Sequence, residues 1–111
     1  MNRDKATLSA IKREIDILGQ LTDNITEEEF LASEKDQRAV LMTLLNIGEL
    51  IKHLTPAFRK KYADIPWKAI AGLRDNVAHT YYKLSMQRIW ISVQEDIPEL
   101  TKLISELIKQ L

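Results

Sequence analysis

Residues 35–54 read KDQRAVLMTLLNIGELIKHL, and they are expected to form the central helix of the fold. Apolar side chains return along it every three or four positions. This spacing predicts an amphipathic helix whose apolar stripe is wide enough for a central place in a helical bundle. Thr55-Pro56 ends the helix, because the residue before a proline avoids helical backbone angles. The inward-facing residues are expected to be Val40, Leu41, Leu44, Leu45, Ile47, Ile51 and Leu54.

Two further helices are predicted before this one. The first spans about residues 4–22, because apolar residues recur there at the same helical spacing. Thr26, with Glu29 three residues later, is typical of a capping box and opens a short helix that carries Phe30 and Leu31. The apolar residues of the first helix are Leu8, Ile11, Ile15, Leu18 and Leu21.

The second half of the chain predicts the rest of the bundle. Residues 56–64 form a connector with about one helical turn, and a fourth helix begins near residue 65 with Pro66 in its first turn. A last helical region runs from Ile89 to Leu111, and Pro98 should kink it or split it in two. The sequence therefore predicts an all-α fold, an antiparallel bundle of about five helices forming a single domain over residues 1–111.

Composition limits the classes of function. A chain of 111 residues with 45% hydrophobic residues can bury one core, and 16 basic residues balance 16 acidic ones. A zero net charge is unlike the strongly basic domains that bind nucleic acid, although a few phosphates could still be bound locally. Without cysteine there are no disulfides, and without a long apolar run no membrane span is expected. A cytoplasmic protein is the default expectation.

Residues 73–82, LRDNVAHTYY, combine several reactive side chains. On a helical wheel Arg74 falls in the middle of an apolar face, and a buried arginine needs a partner. It could pair with an acidic residue of a neighbouring helix, for which Glu49 is the candidate. Alternatively, the apolar face opens into a cleft and Arg74 points at an anionic ligand. Both arrangements could hold together.

Asp75 and His79 are four residues apart and can meet on one helix face. A carboxylate there would fix the tautomer of the imidazole and raise its pKa, although a routine surface pair is the simpler alternative. Arg74 and His79 are about 140° apart on the wheel, so they converge only at a helix end or in a groove. Gly72 costs about 1 kcal/mol in a helix, which close approach of a second subunit or of a backbone would explain.

The stretch from residue 65 to 82, IPWKAIAGLRDNVAHTYY, resembles the signature of the HepT-like branch of the HEPN superfamily. That signature is an arginine, a polar residue, three more residues, a histidine, any residue and a tyrosine. Upstream NIGELIKHL, the Pro66-Trp67 pair and downstream Trp90 with DIPEL also resemble the family, so the resemblance covers nearly the whole chain. The matching signature positions here are Arg74, Asp75, His79 and Tyr81.

The resemblance implies a metal-independent endoribonuclease that acts as a toxin or in RNA processing. It also implies a homodimer whose two motif helices line a shared cleft. A minimal nucleotidyltransferase antitoxin would silence the enzyme by adenylylating the motif tyrosine. The spacing from His79 favours Tyr81 for this modification, but Tyr82 is adjacent and leaves the assignment open.

Residues of these types suit RNA cleavage in which the 2′-hydroxyl is the nucleophile. His79 could act as base or acid, Arg74 could hold the non-bridging phosphate oxygens, and Asp75 could orient either side chain. The other histidine, His53, has no motif around it, so a two-fold partner would supply the second His79 and Arg74. Two isolated histidines and no cysteine do not form a ligand cluster, so neither a metal nor another cofactor is expected.

Two other functions stay open from the residues. The chain could be a non-catalytic module in which Arg74 and His79 bind a nucleotide or a partner protein. It could also be a purely structural bundle in which Glu49 neutralises Arg74. The role of a group of cations near the motif helix also stays open. They form either a local basic cleft for RNA or a solvated charged face. These cations are Arg59, Lys60, Lys61 and Lys68.

Overall fold

A computed structural model describes residues 2–72 and 85–111 of the chain. Its regular secondary structure in these residues is entirely helical, which confirms the all-α prediction. The connector predicted as about one turn is a six-residue helix of its own. None of the helices in the described part of the chain is long and apolar enough to span a membrane. The helices are α1 (Asn2–Thr22), α2 (Glu27–Ala32), α3 (Glu34–His53), α4 (Pro56–Lys61), α5 (helical over 67–72) and α6 (Met86–Gln110).

The core lies between α3, α1 and α6. Helix α3 packs most extensively along α1, and α6 packs against α1 and α2. The apolar positions predicted for α1 and α3 are buried, apart from half-buried Leu21 and Leu45. Burial of side chains of this size contributes about 1.5–3 kcal/mol each, so these stripes dominate the stability of the fold. The fully buried side chains include Leu8, Ile11, Leu18, Phe30, Val40, Ile51 and Ile104.

Helices α1 and α3 are antiparallel. The start of α1 meets the end of α3, where the Arg3 Nη2 atom donates a hydrogen bond of 2.8 Å to the His53 carbonyl. Further along, the Asn46 side-chain amide donates to the Glu14 carboxylate at 2.9 Å. The residue numbers rise along one helix as they fall along the other, which confirms the predicted antiparallel packing of this pair.

The capping box predicted at Thr26 is present. The Thr26 hydroxyl accepts from the Glu29 backbone N–H at 3.1 Å, and the Glu29 carboxylate accepts from the Thr26 backbone N–H at 2.9 Å. One residue, Ser33, ends α2 and also caps α3 by accepting from the Asp36 N–H. This short link leaves Phe30 buried, with its ring centroid 5.2 Å from that of Trp90 on α6.

Asp4 joins the first turn of α1 to the corner between α3 and α4. Its carboxylate accepts a 2.8 Å hydrogen bond from the Thr55 backbone N–H and a 2.7 Å bond from the Thr55 hydroxyl. The same hydroxyl accepts from the Phe58 N–H and so caps α4. Asp4 is 7% exposed, and the backbone hydrogen bond from Thr55 lowers its pKa below the ordinary value.

Helix α6 continues through Pro98 as one helix, so of the two predicted outcomes, a kink or a split, the split is wrong. Proline removes one backbone donor, but Pro98 lies on the exposed side of the helix. Apolar residues on both sides of it are buried on one continuous stripe, which keeps the two halves in one helix. These residues are Ile89, Val93, Ile97, Leu100, Ile104 and Leu107.

An aromatic cluster sets where α5 begins. The Phe58 ring lies 4.8 Å from the Tyr62 ring and 6.4 Å from the Trp67 ring, measured between centroids. Trp67 is 5% exposed, and its indole N–H donates to the Tyr62 carbonyl at 3.0 Å. The Pro66 carbonyl accepts from the Ile70 N–H, so the helix starts at residue 67, two residues after the predicted start.

We expect Asp4→Asn to lower the free energy of unfolding by about 1–2 kcal/mol at neutral pH, because the charge-assisted hydrogen bonds to Thr55 become neutral ones. Urea unfolding measures this loss. Asp16→Asn is the control, since Asp16 is exposed and, in the part of the chain that the structure describes, pairs with Lys12 of its own helix. Equal losses in the two variants would contradict the role given to Asp4.

A comparison of wild type with Asp4→Asn over a range of pH tests the pKa of Asp4. A carboxyl whose pKa is lower in the folded state stabilises that state above the unfolded pKa, about 4. This stabilisation is lost as the pH falls through the folded pKa. The difference between wild type and Asp4→Asn should therefore be constant near neutral pH and shrink below about pH 4. A difference that grows on acidification would show that the pKa of Asp4 is raised instead.

We expect Trp67→Phe to cost about 1 kcal/mol of unfolding free energy, because the Tyr62 carbonyl loses the indole donor and keeps the longer bond from the Ile65 N–H at 3.2 Å. Trp90→Phe is the matched control, since a phenylalanine there preserves a ring next to Phe30. Urea unfolding followed by far-ultraviolet circular dichroism is the measurement, because it does not depend on tryptophan fluorescence. A cost for Trp90→Phe as large as that for Trp67→Phe would contradict the importance of the indole hydrogen bond.

Candidate functional site

The sequence motif lies outside the residues that the structure describes. It consists of Arg74, Asp75, His79 and Tyr81, and the neighbouring Tyr82 lies outside them as well. The pairings of Arg74 with Glu49 and of Asp75 with His79 therefore stay predictions. The structure does describe the approach to the motif, as far as Gly72 on α5 and again from Ser85 onwards.

An open cleft of about 590 Å³ lies between the end of α3, α4 and the start of α5. Four cationic residues line it: Lys52, Arg59, Lys60 and Lys68. Among the lining residues that the structure describes, none is acidic. We call this surface the basic cleft. Ala71, which also lines it, precedes Arg74 by only three residues in the sequence.

The basic cleft contains three of the four cations that the sequence brought forward as a group. Lys61 is the exception: it lines a different hollow with Asp4 and Thr55, and its Nζ atom lies 5.4 Å from the Tyr62 ring centroid. Lys52 takes its place in the cleft. Sequence reasoning missed Lys52 because it is on α3, 16 residues before Lys68, and no local spacing links the two.

The opposite side of α5 carries the opposite charge. A groove of about 500 Å³ lies between α5 and α6, and three acidic residues of α6 line it: Glu95, Asp96 and Glu99. Its apolar lining includes Ile70 from α5 and Leu100 from α6. The zero net charge of the chain thus hides a separation of charge, with cations on one side of α5 and carboxylates on the other.

Gly72 has open space beside it. A Cβ atom built on this residue would meet no atom of the described chain within 4 Å. Its backbone φ angle is not positive. The sequence offered close approach of a backbone as one explanation for this glycine. The described part of this chain contains no backbone segment that comes so close, so this explanation does not hold for it. Approach of a second subunit stays a prediction.

Glu49 and His53 lie together on the exposed side of α3. The His53 Nε2 atom is 4.0 Å from the Glu49 carboxylate, and the two side chains are 59% and 50% exposed. Within residues 2–72 and 85–111, no group of three or more His, Asp and Glu side chains could hold a metal ion.

Comparison with known proteins identifies the family. The family described as ribonuclease HepT-like matches residues 11–107. A protein of Caldanaerobacter subterraneus, provisionally named an RNase, is 34% identical over 110 residues, covering 99% of this chain and 98% of the relative. One from Methanocaldococcus jannaschii, also provisionally named an RNase, is 40% identical over 90 residues, covering 81% and 74%.

A third relative carries the family name itself. It is a protein of Thermococcus cleftensis, provisionally named ribonuclease HepT, and it is 35% identical over 96 residues, covering 86% of this chain and 87% of its own. No solved structure matches the chain significantly. The match over most of the chain and the all-α structure agree with the signature around Arg74. The chain therefore belongs to the HepT-like ribonuclease family of the HEPN superfamily, and the prediction of an RNA-cleaving enzyme is confirmed at the level of the family.

Proposed function

We propose that the chain is a metal-independent endoribonuclease toxin whose catalytic residues are Arg74, Asp75 and His79. The observation that carries the proposal is the combination of the family match with the full signature from Arg74 to Tyr81. The basic cleft supports it, because it supplies the local positive charge that a neutral RNA-binding protein needs. In this proposal residues 1–111 act as one domain on cytoplasmic RNA.

The proposed reaction needs only groups that the motif contains. The 2′-hydroxyl oxygen attacks the neighbouring phosphorus while a base removes its proton, and the bond from phosphorus to the 5′-oxygen breaks. An acid gives the leaving 5′-oxygen a proton, so the products are a 2′,3′-cyclic phosphate and a 5′-hydroxyl. His79 serves as base or acid, and Arg74 neutralises the charge on the pentavalent phosphorane through its fork of donors. Asp75 orients either side chain.

A homodimer completes the site in this proposal. One copy of the motif offers a single histidine, whereas the reaction uses a base and an acid. Two-fold symmetry would bring a second copy of His79 and of Arg74 to the same cleft. The open space beside Gly72 supports this arrangement, because a second protomer could approach α5 there without meeting a side chain.

Control of the enzyme falls to Tyr81 in this proposal. A minimal nucleotidyltransferase antitoxin would transfer adenylate from ATP to the tyrosine hydroxyl and release pyrophosphate. The new phosphodiester would add bulk and negative charge two residues from His79. The negative charge would compete with the substrate phosphate for Arg74, and the bulk would occupy the place of the substrate.

We expect purified wild-type protein to cleave RNA in the presence of EDTA, and His79→Ala to reduce the rate by at least about 100-fold, since a general acid or base contributes about that much. Gel analysis of a labelled RNA measures the rate. Release of a cyclic phosphate end, detected by mass spectrometry, checks the proposed bond changes.

His53→Ala is the matched control for that experiment. It removes the other histidine of the chain, which lies on the exposed side of α3 beside Glu49. Its cleavage rate should stay near that of wild type. Undiminished cleavage by His79→Ala would refute the assigned mechanism, and RNA binding by wild type without any cleavage would favour the non-catalytic module.

We expect Tyr81→Phe to escape adenylylation, because the modified hydroxyl is absent, and to stay active when the antitoxin is present. Intact-protein mass spectrometry after coexpression with a minimal nucleotidyltransferase measures the modification. Tyr82→Phe is the control, and it should be modified like wild type. Modification that persists in Tyr81→Phe and disappears in Tyr82→Phe would move the assignment to Tyr82.

A further inference from the structure

Three cations of the basic cleft have no carboxylate partner within residues 2–72 and 85–111. Arg59, Lys60 and Lys68 form no ion pair with another residue of the described chain. Surface lysines and arginines in this protein do find carboxylates elsewhere, as Lys12 does with Asp16 and Arg38 with Glu34. Several unpaired cations around one concave surface raise the local positive potential and attract anions.

Stability of the helices does not explain the position of Lys68. It is the second helical residue of α5, where the positive end of the helix dipole makes a cation unfavourable by a few tenths of a kcal/mol or more. Arg59 is unusual as well. Its Nε atom is buried and has no hydrogen-bond partner in the described part of the chain, although a buried donor without an acceptor is unfavourable. The position of Lys68 suits a site whose anion comes from outside the described residues, whereas the buried Arg59 Nε atom is out of reach of such an anion unless the side chain moves.

Among the described residues that line it, the cleft offers charge but no exposed aromatic ring on which bases could stack. Its aromatic residue, Trp67, is 5% exposed and its indole N–H is already bound to the Tyr62 carbonyl. Proteins that hold single strands through their bases use exposed aromatic rings for this purpose. A ligand here would be recognised through its phosphates, independently of its sequence.

We propose that the basic cleft binds backbone phosphates of the RNA substrate and holds the strand beside the start of α5. The inference rests on the proposed ribonuclease function for the identity of the ligand. Ala71 lines the cleft and is three residues from Arg74, so a strand in the cleft lies close in sequence to the catalytic motif. The cations of α4 and α5, namely Arg59, Lys60 and Lys68, then form an extended contact for several nucleotides, in addition to the one phosphate that is cleaved.

Binding of a labelled 2′-O-methyl RNA of about twelve nucleotides tests this proposal, since methylation removes the nucleophile and this length suits a single-strand site. Fluorescence anisotropy over a series of potassium chloride concentrations gives the slope of log affinity against log salt. Each phosphate contact adds about 0.7 to that slope for a single strand. We expect Lys60→Gln/Lys68→Gln, two exposed positions, to reduce the slope by about 1.4.

The matched control is Lys35→Gln/Lys109→Gln, which changes the net charge equally at exposed positions outside the cleft. Its slope should equal that of wild type. Arg59→Gln should reduce the slope by about 0.7, and oligouridine and oligoadenine should respond alike. Equal slopes for the cleft and control variants, or an effect limited to one base sequence, would overturn the proposal. Wild type that binds RNA but never cleaves it would refute the enzymatic function and leave this result intact.

Discussion

Burial of the apolar stripe of α3 against α1 holds the bundle together. The two helices contribute most of the fully buried side chains, and α6 closes the remaining side of the same core. The shorter helices depend on this framework. Helix α2 is held by Phe30, and the link between α3 and α4 is held by the bonds from Thr55 to Asp4. The start of α5, which adds Trp67 and Ile70 to the buried core, is positioned by the same framework.

Charge separation reconciles a neutral chain with an RNA substrate. Net charge describes the long-range attraction of a whole protein, whereas binding depends on the potential at one surface. Here α5 divides a surface with Lys52, Arg59, Lys60 and Lys68 from one with Glu95, Asp96 and Glu99. The acidic side repels RNA, so the distribution of charge should favour a strand that lies on the cationic side of α5.

Sequence patterns predicted the helices well, because apolar spacing and capping depend on residues that are close along the chain. The bonds between Asp4 and Thr55 could not be found this way, since 51 residues separate the partners. Pro98 does not split α6, because its local effect is smaller than that of the buried stripe around it. At the site, the motif from Arg74 to Tyr81 was recognised from its residues alone. The sequence did not show that Lys52 and Lys68 line the same cleft, because only the folded chain places them together.

Helix α4 has a consequence for how the cleft can adapt. None of its six residues is fully buried, and it is held by a cap at Thr55 and by half-buried Phe58. Opening such an element exposes little apolar surface, so its local unfolding should need less free energy than global unfolding. The wall that carries Arg59 and Lys60 can thus change its distance from Lys68 while the bundle stays folded, which lets one cleft fit strands of different curvature.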